Sequence, residues 1–193
     1  MTFLNTISKE VVAAMPKEVF AGQIVVVNSK EGLAKAIDYL SAFSEIGFDT
    51  ETRPTFVKNK HNNMSLMQLS SEETCYLIRL NKFKKFPKML ETFLKNKNVK
   101  KIGLSLRDDF NGLHYLTKVS PDNFIDLQDY VPQFGIEELS LRKIYAILFG
   151  KKISKSKQKS NWEAEILTWS QMRYAALDAW SCLRIYQFLE RAT

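Results

Sequence analysis

IGFDTE, at residues 46–51, is an apolar run that ends in two carboxylates one residue apart. Because side chains alternate between the two faces of a β-strand, Asp49 and Glu51 are predicted to project from the same face. Much later in the chain, Tyr174 and Asp178 lie four residues apart in a segment with helical periodicity. Residues four apart are neighbours on a helix surface, so this pair can address a single site. The two spacings favour an acidic cluster assembled from distant parts of the chain.

A third source of carboxylates is LRDDFNGL, at residues 106–113, which opens a predicted helix. We expect Asp109 to be its functional member, because it lies at the edge of the apolar face, whereas Asp108 is free to cap the helix. The alternative is that both residues only stabilise the helix start. Like charges gathered in a fold usually accompany a bound divalent cation. The sequence therefore predicts a metal site.

Composition favours a polyanionic partner. The formal net charge is +7 and the sequence pI is near 9.3, which favours nucleic acid. Five lysines fall within residues 151–159. Such a run is either a solvated loop or a phosphate-binding segment.

The length of 193 residues fits one domain. We expect a helical flank over residues 1–20, ended by Pro16, followed by one domain over residues 21–193. No apolar stretch reaches the length of a bilayer span and the start lacks a secretory signal, so we expect an intracellular, cytoplasmic protein without a membrane partner. Cys75 and Cys182 are predicted to be buried, reduced thiols.

Apolar periodicity predicts an α/β fold. A strand at 23–28 precedes a helix capped by Ser29, and the acidic strand begins at Glu45 and ends in the carboxylate pair. The other predicted strands cover 65–70, 74–79, 99–104 and 124–127, with helices near 86–96 and 108–116 and a largely helical remainder. An antiparallel meander followed by alternating helices and strands indicates a three-layer arrangement, with a mixed central sheet flanked by helices and the acidic strand near its centre.

These side chains suit phosphodiester hydrolysis. Two hard cations can activate a water and stabilise the leaving oxygen, and Mg²⁺ or Mn²⁺ prefers carboxylate ligands. Zinc is disfavoured because the chain has only two histidines, His61 and His114, which are predicted to be ordinary surface or loop residues. We expect Asp49 to bridge the ions and Asp109 to support the second ion directly or through water. Glu51 and Asp178 would hold the ion on the nucleophile side, and Tyr174 would orient the attacking water.

The order of these residues resembles the DEDD exonuclease superfamily, in the tyrosine subclass that includes ribonuclease D and the exonuclease domain of the Werner syndrome protein. The matching segments are FDTETRP at 48–54, LRDDFNGL at 106–113, IDLQ at 125–128 and YAALDA at 174–179. KSNW at 159–162 is similar to the Werner-like branch.

The resemblance implies a ribonuclease H-like fold and removal of nucleoside 5′-monophosphates from the 3′ end of DNA or RNA with two Mg²⁺ or Mn²⁺ ions. It assigns Asp49, Glu51, Asp109, Tyr174 and Asp178 to the active site, and places backbone groups near Thr52 beside the terminal 3′ hydroxyl. Because the chain ends soon after the last motif, its own basic surface is expected to track the nucleic-acid backbone. The expected contacts are Lys152, Lys155, Lys157 and Lys159.

Two other functions fit parts of the pattern. A non-catalytic nucleic-acid-binding module would use the basic loop alone, and a general phosphoesterase would act on small substrates. The acidic set argues against the binding module, because carboxylates without metal ions repel phosphates. The sequence specifies neither DNA or RNA preference nor an oligomeric state.

Overall fold

The computed structural model describes residues 2–55 and 62–192. Its strands are β1 (Gln23–Val27), β2 (Glu45–Thr52), β3 (Met64–Ser70), β4 (Thr74–Arg79), β5 (Lys100–Gly103) and β6 (Phe124–Asp126). Its helices are α1 (Lys9–Ala14), α2 (Lys30–Ser41), α3 (Lys88–Leu94), α4 (Leu106–His114), α5 (Leu127–Tyr130), α6 (Leu141–Phe149) and α7 (Trp169–Ala192), with 3-10 turns at Leu80–Lys82 and Val131–Phe134.

The strands form one mixed sheet in the order β1-β4-β3-β2-β5-β6. Strands β2, β3 and β4 make the predicted antiparallel meander. Strand β1 joins β4 in parallel, and β5 and β6 continue in parallel beyond β2. The predicted mixed sheet with a central acidic strand is therefore confirmed.

Helices cover both faces of the sheet. On one face, α2, α3 and α4 pack over a core that includes Phe48 and Met67. On the other face, α6 and α7 pack over a core that includes Leu66 and Leu77. Because β2 alternates between these layers, Phe48 faces the first core, whereas Asp49 and Glu51 face the layer that contains α7.

Several element boundaries differ by a few residues from the sequence prediction, and those of β2 and of the N-terminal helix have identifiable causes. Strand β2 continues to Thr52, beyond the carboxylate pair, because Asp49, Glu51 and Thr52 pair with residues of β3. The N-terminal helix covers only Lys9–Ala14, since Ser8 caps it by accepting a hydrogen bond from the Val11 N–H. Pairing with a distant strand decided the first boundary, whereas a local cap set the start of the N-terminal helix.

The structure also bears on the predictions for the cysteines, the histidines and membrane-spanning helices. Cys75 and Cys182 are buried free thiols, as expected. His114 is exposed at the end of α4, whereas His61 lies outside the described residues. Over residues 2–55 and 62–192, no helix has the length and apolar character needed to cross a membrane.

Glu18 ties the N-terminal flank to the domain. Its buried carboxylate accepts hydrogen bonds from the Tyr145 hydroxyl at 2.7 Å, from Arg184 at 2.9 Å and from Lys151 at 3.2 Å. Burial is the largest influence on the pKa of Glu18 and raises it, but hydrogen bonds from Tyr145, the Val19 N–H and Lys151 outweigh burial and hold the pKa below its usual value. The flank is therefore joined to α6, to α7 and to the lysine-rich segment.

Glu18→Ala is expected to lower the free energy of unfolding by about 2–3 kcal/mol, because it strips charged hydrogen bonds from three partners. Chemical denaturation measures this loss. Glu31→Ala is the control, since Glu31 forms an exposed ion pair with Lys35 and should cost less than about 1 kcal/mol. Equal losses in the two variants would contradict the anchoring role of Glu18.

Candidate metal centre

A close backbone approach sets α7 over the acidic strand. A Cβ atom on Gly47 would stand 1.9 Å from the Ala179 carbonyl oxygen. No side chain fits in that space, so glycine allows the helix to lie directly on β2. Asp178 immediately precedes Ala179, and the approach therefore brings its carboxylate over the strand that carries Asp49 and Glu51.

Asp49, Glu51 and Asp178 form the acidic cluster. Each offers one carboxylate oxygen, and these oxygens lie within 4.8 Å of one another. Asp178 is buried, and the other two are half-buried. The structure thus brings together residues from β2 and α7, as the two spacings in the sequence predicted.

Asp109 approaches β2 from the other side of the sheet. It lies in the first turn of α4 and accepts a hydrogen bond from the hydroxyl of Thr50, the residue between the two strand carboxylates. It does not belong to the group of three oxygens described above. Its charge nevertheless raises the pKa values of Asp49 and Glu51, so it borders the cluster.

Asp126 stabilises the start of α4, a role that sequence reasoning missed. Its carboxylate accepts hydrogen bonds from the N–H groups of Ser105 at 3.0 Å and Leu106 at 2.7 Å. The expectation that Asp108 caps this helix is wrong: Asp108 is exposed and accepts a hydrogen bond from the Ser105 hydroxyl at 3.5 Å, and the part of the chain that the structure describes shows no side-chain cap at Ser105. The match at IDLQ was the available signal, since a carboxylate after a short strand can cap a neighbouring loop.

Tyr174 lies one helical turn before Asp178, with its ring against Trp162. The ring centroids are 6.0 Å apart at an interplanar angle of 35°. Trp162 is fully buried, so the segment that contains it forms a fixed support for Tyr174. Burial raises the pKa of the Tyr174 hydroxyl, and the charges of Asp178 and Glu51 raise it further. Tyr174 therefore stays protonated and can donate a hydrogen bond.

The carboxylates disfavour one another's ionisation. Burial raises the pKa of Asp49 well above its usual value, and the neighbouring charges of Asp178, Asp109 and Glu51 add to this effect. Burial likewise raises the pKa of Glu51 to about 9 and those of Asp109 and Asp178 to about 7. A divalent cation would relieve this repulsion. The oxygen-only donor set, its burial and its mutual repulsion fit a hard cation such as Mg²⁺ or Mn²⁺.

The acidic cluster opens into a cleft of about 350 Å³. Arg142 of α6 and Lys155 line the same cleft. Arg142 donates a hydrogen bond from Nε to the Ile153 carbonyl at 2.6 Å, and its charge lowers the pKa of Asp178. Sequence reasoning missed Arg142, because nothing in the local pattern of α6 distinguishes it from a surface arginine.

The lysines predicted to bind nucleic acid lie in different surroundings. Lys155 lines the cleft, and Lys157 and Lys159 lie in the following turn. Lys152 pairs with Lys17 through the backbone and donates to the Ala13 carbonyl, so its ammonium group faces the N-terminal flank. Thr52 is exposed at the end of β2. The binding roles of these five residues stay predictions.

Comparison with known proteins agrees with this geometry. A family model described as a 3′–5′ exonuclease matches residues 24–193. The mouse bifunctional 3′–5′ exonuclease/ATP-dependent helicase WRN is 34% identical over 155 residues, which cover 78% of this chain and 11% of that protein. The Aedes aegypti exonuclease mut-7 homolog is 30% identical over 191 residues, covering 86% of this chain and 26% of that protein. The chain therefore spans a minor part of these curated relatives.

Solved structures show the same fold. The Aedes aegypti Nibbler EXO domain superposes with a TM-score of 0.79 at 27% identity, over 90% of this chain and 91% of that one. Escherichia coli RNase D gives a TM-score of 0.78 at 24% identity, over 88% of this chain and 44% of that one. The chain belongs to the DEDD-type 3′–5′ exonuclease family, and the predicted ribonuclease H-like fold is confirmed.

Gly47→Ala should destabilise the protein by about 1–3 kcal/mol, because the new methyl group overpacks the contact between β2 and α7. Thermal and chemical unfolding measure the loss. Gly112→Ala is the matched control: its Cβ would lie at an ordinary 3.5 Å from Met64, and alanine inside a helix should stabilise by about 0.5–1 kcal/mol. If the two variants changed stability equally, the close approach would not be the constraint described here.

In chelator, stability should fall as pH rises from about 5 to 9. The raised pKa values of Asp178, Asp109 and Glu51 mean that the folded state binds more protons than the unfolded chain, whose carboxyls titrate near pH 4. Each kcal/mol lost should lower the Tm by about 2–4 °C. Asp178→Asn should reduce the dependence of the Tm on pH. Mn²⁺ should raise the Tm of the unaltered protein mainly near pH 9. A Tm independent of pH in chelator would contradict the clustering of charge.

Proposed function

We propose that the protein is an active 3′–5′ exonuclease that hydrolyses phosphodiester bonds at the 3′ end of DNA or RNA and releases nucleoside 5′-monophosphates. The observation that carries this proposal is the convergence of oxygens from Asp49, Glu51 and Asp178 within 4.8 Å. A polynucleotide-binding protein without metal chemistry has no use for such a cluster, since it would repel the phosphate backbone.

The residues that would hold the ions come from both sides of β2. Asp49 would serve both ions, Glu51 and Asp178 the ion on the nucleophile side, and Asp109 the second ion through water, since Asp109 is turned toward Thr50. When bound, a pair of Mg²⁺ or Mn²⁺ ions supplies an activated water and charge stabilisation of the leaving oxygen.

The other side chains prepare the substrate. The Tyr174 hydroxyl, which is held neutral beside Asp178, would donate a hydrogen bond that orients the attacking water. Arg142 lines the cleft, where its guanidinium can receive the scissile phosphate. Lys155 lines the same cleft and can contact the neighbouring phosphate. Backbone groups near Thr52 would adjoin the terminal 3′ hydroxyl.

We also propose that the exonuclease domain covers residues 21–193 after an N-terminal flank at residues 1–20. We further propose that the protein acts in the cytoplasm. The family model begins at residue 24, which supports an N-terminal flank. The contacts of Glu18 with Tyr145 and Arg184 make that flank a structural part of the domain.

Asp49→Ala is expected to reduce mononucleotide release by about a thousandfold or more, which corresponds to about 4 kcal/mol of transition-state stabilisation. The assay follows a 5′-labelled oligonucleotide in Mg²⁺, Mn²⁺ or chelator. Circular dichroism should show an intact fold. Full activity in Asp49→Ala would refute the site, and an inactive unaltered protein that still binds the oligonucleotide would favour the binding-module alternative.

Adjacent aspartates provide a second test. Asp109→Asn should lower kcat by about tenfold to a hundredfold, the usual effect of losing an outer partner of a metal ligand. Asp108→Asn removes the same charge one residue away at an exposed position and should leave kcat within about twofold. The reverse pattern would assign the second motif to Asp108.

A further inference from the structure

A second cleft lies at the same end of the sheet as the acidic cluster. It encloses about 740 Å³ between the start of β3, the segment after β4 and the end of α4. We call it the basic cleft, and six of its lining residues matter for its chemistry: Asn63, Phe83, Lys84, Lys85, Tyr115 and Lys118.

The basic cleft carries uncompensated positive charge. Its two lining carboxylates already have partners: Glu91 pairs with Lys88 at 2.7 Å, and Glu163 pairs with Arg53 at 3.1 Å. Among residues 2–55 and 62–192, by contrast, Lys84, Lys85 and Lys118 form no ion pair within 4.0 Å. All three lysines are exposed. Their ammonium groups are therefore available to an anionic ligand.

Tyr115 adds an aromatic surface. It is 75% exposed at the end of α4, although its ring is large and mainly apolar. Phe83 is half-buried in the same cleft. A basic groove that also presents an exposed aromatic ring is suited to single-stranded nucleic acid, because phosphates contact the lysines while an unpaired base stacks on the ring. A duplex keeps its bases stacked on one another and gains nothing from Tyr115.

The basic cleft is connected to the acidic cluster by α4 and by the β2–β3 pair. Thr52, one residue after Glu51, pairs with Met64, which lines the basic cleft. Asp109 and Tyr115 lie six residues apart along α4, which corresponds to about 9 Å along the helix axis. That distance accommodates about three stacked nucleotides at roughly 3.4 Å each. A strand with its 3′ end at the carboxylates can thus reach Tyr115.

We propose that the basic cleft binds the single-stranded segment that precedes the 3′-terminal nucleotide of a polynucleotide substrate. This inference rests on the proposed exonuclease function and adds to it a defined path and a preference for unpaired 3′ ends. The ammonium groups of Lys151 and Lys152 donate hydrogen bonds to Glu18 and to the Ala13 carbonyl. Much of the contact with the phosphate backbone of the substrate is therefore left to other lysines.

The direct test is binding without catalysis. The full-length chain is titrated in EDTA against 5′-fluorescein oligothymidylate and oligouridylate of about twelve nucleotides, a length typical of such sites, and anisotropy is recorded at several salt concentrations. Lys84→Gln with Lys85→Gln should raise the Kd about tenfold and reduce the slope of log K against log salt by about 1–2. Lys30→Gln with Lys35→Gln on α2 is the charge-matched control and should leave both quantities unchanged.

Substitutions of Tyr115 distinguish the contribution of base stacking to binding from that of the lysine charges. Tyr115→Ala should raise the Kd about tenfold with little change in the salt slope, whereas Tyr115→Phe, which keeps the ring, should bind like the unaltered protein. A blunt duplex of the same length should bind more weakly than the single strand. The proposal is overturned if the lysine pair and Tyr115→Ala behave like the α2 control, or if the blunt duplex binds as tightly as the single strand.

Hydrolysis distinguishes this inference from the proposed function. With Mg²⁺, the basic-cleft variants should show a higher KM on the longer oligonucleotide and an unchanged KM on a dinucleotide, which is too short to reach Tyr115. Cleavage with equal KM values in all variants would contradict the role of the basic cleft and would still support the proposed exonuclease function. Binding that depends on Tyr115 without any release of mononucleotides would support the role of the basic cleft and would contradict the proposed exonuclease function.

Discussion

The close approach of Gly47 to Ala179 is the constraint on which the site depends. At this point the backbone of a helix lies against the backbone of a central strand, because the strand offers no Cβ. Asp49, two residues after Gly47, and Asp178, which precedes Ala179, are therefore brought together by main-chain geometry. A fixed arrangement of this kind is what coordination of a small cation requires.

The acidic cluster is unfavourable for the fold on its own. Burial raises the pKa of all three carboxylates, and neighbouring negative charges raise those of Asp49 and Glu51 further, so the surrounding structure must hold them together against their charge. The two cores on either side of the sheet supply that stability, and Trp162 and Asp126 hold Tyr174 and the start of α4 in place. Local strain at a site that is stabilised elsewhere is typical of functional centres.

Positive charge is distributed to complement this negative centre. Arg142 and Lys155 line the cleft of the acidic cluster, and Lys84, Lys85 and Lys118 line the basic cleft. The lysine-rich segment at residues 151–159 is the most conspicuous run of charge in the sequence, but its Lys151 is already hydrogen-bonded to Glu18. A net charge of +7 predicted the class of partner, but the path of that partner depends on which ammonium groups remain free.

The sequence by itself determined the type and order of most elements, since alternating and helical periodicity depend on neighbouring residues. It also identified Asp49, Glu51, Asp109, Tyr174 and Asp178 as candidates through their spacing and family resemblance. Tertiary structure decided the rest. The extension of β2 to Thr52 required β3 as a partner, and Asp126 replaced Asp108 at the start of α4 because β6 lies beside β5. Arg142, Gly47 and the basic cleft acquire their meaning only from contacts between segments far apart in the chain, which no local pattern records.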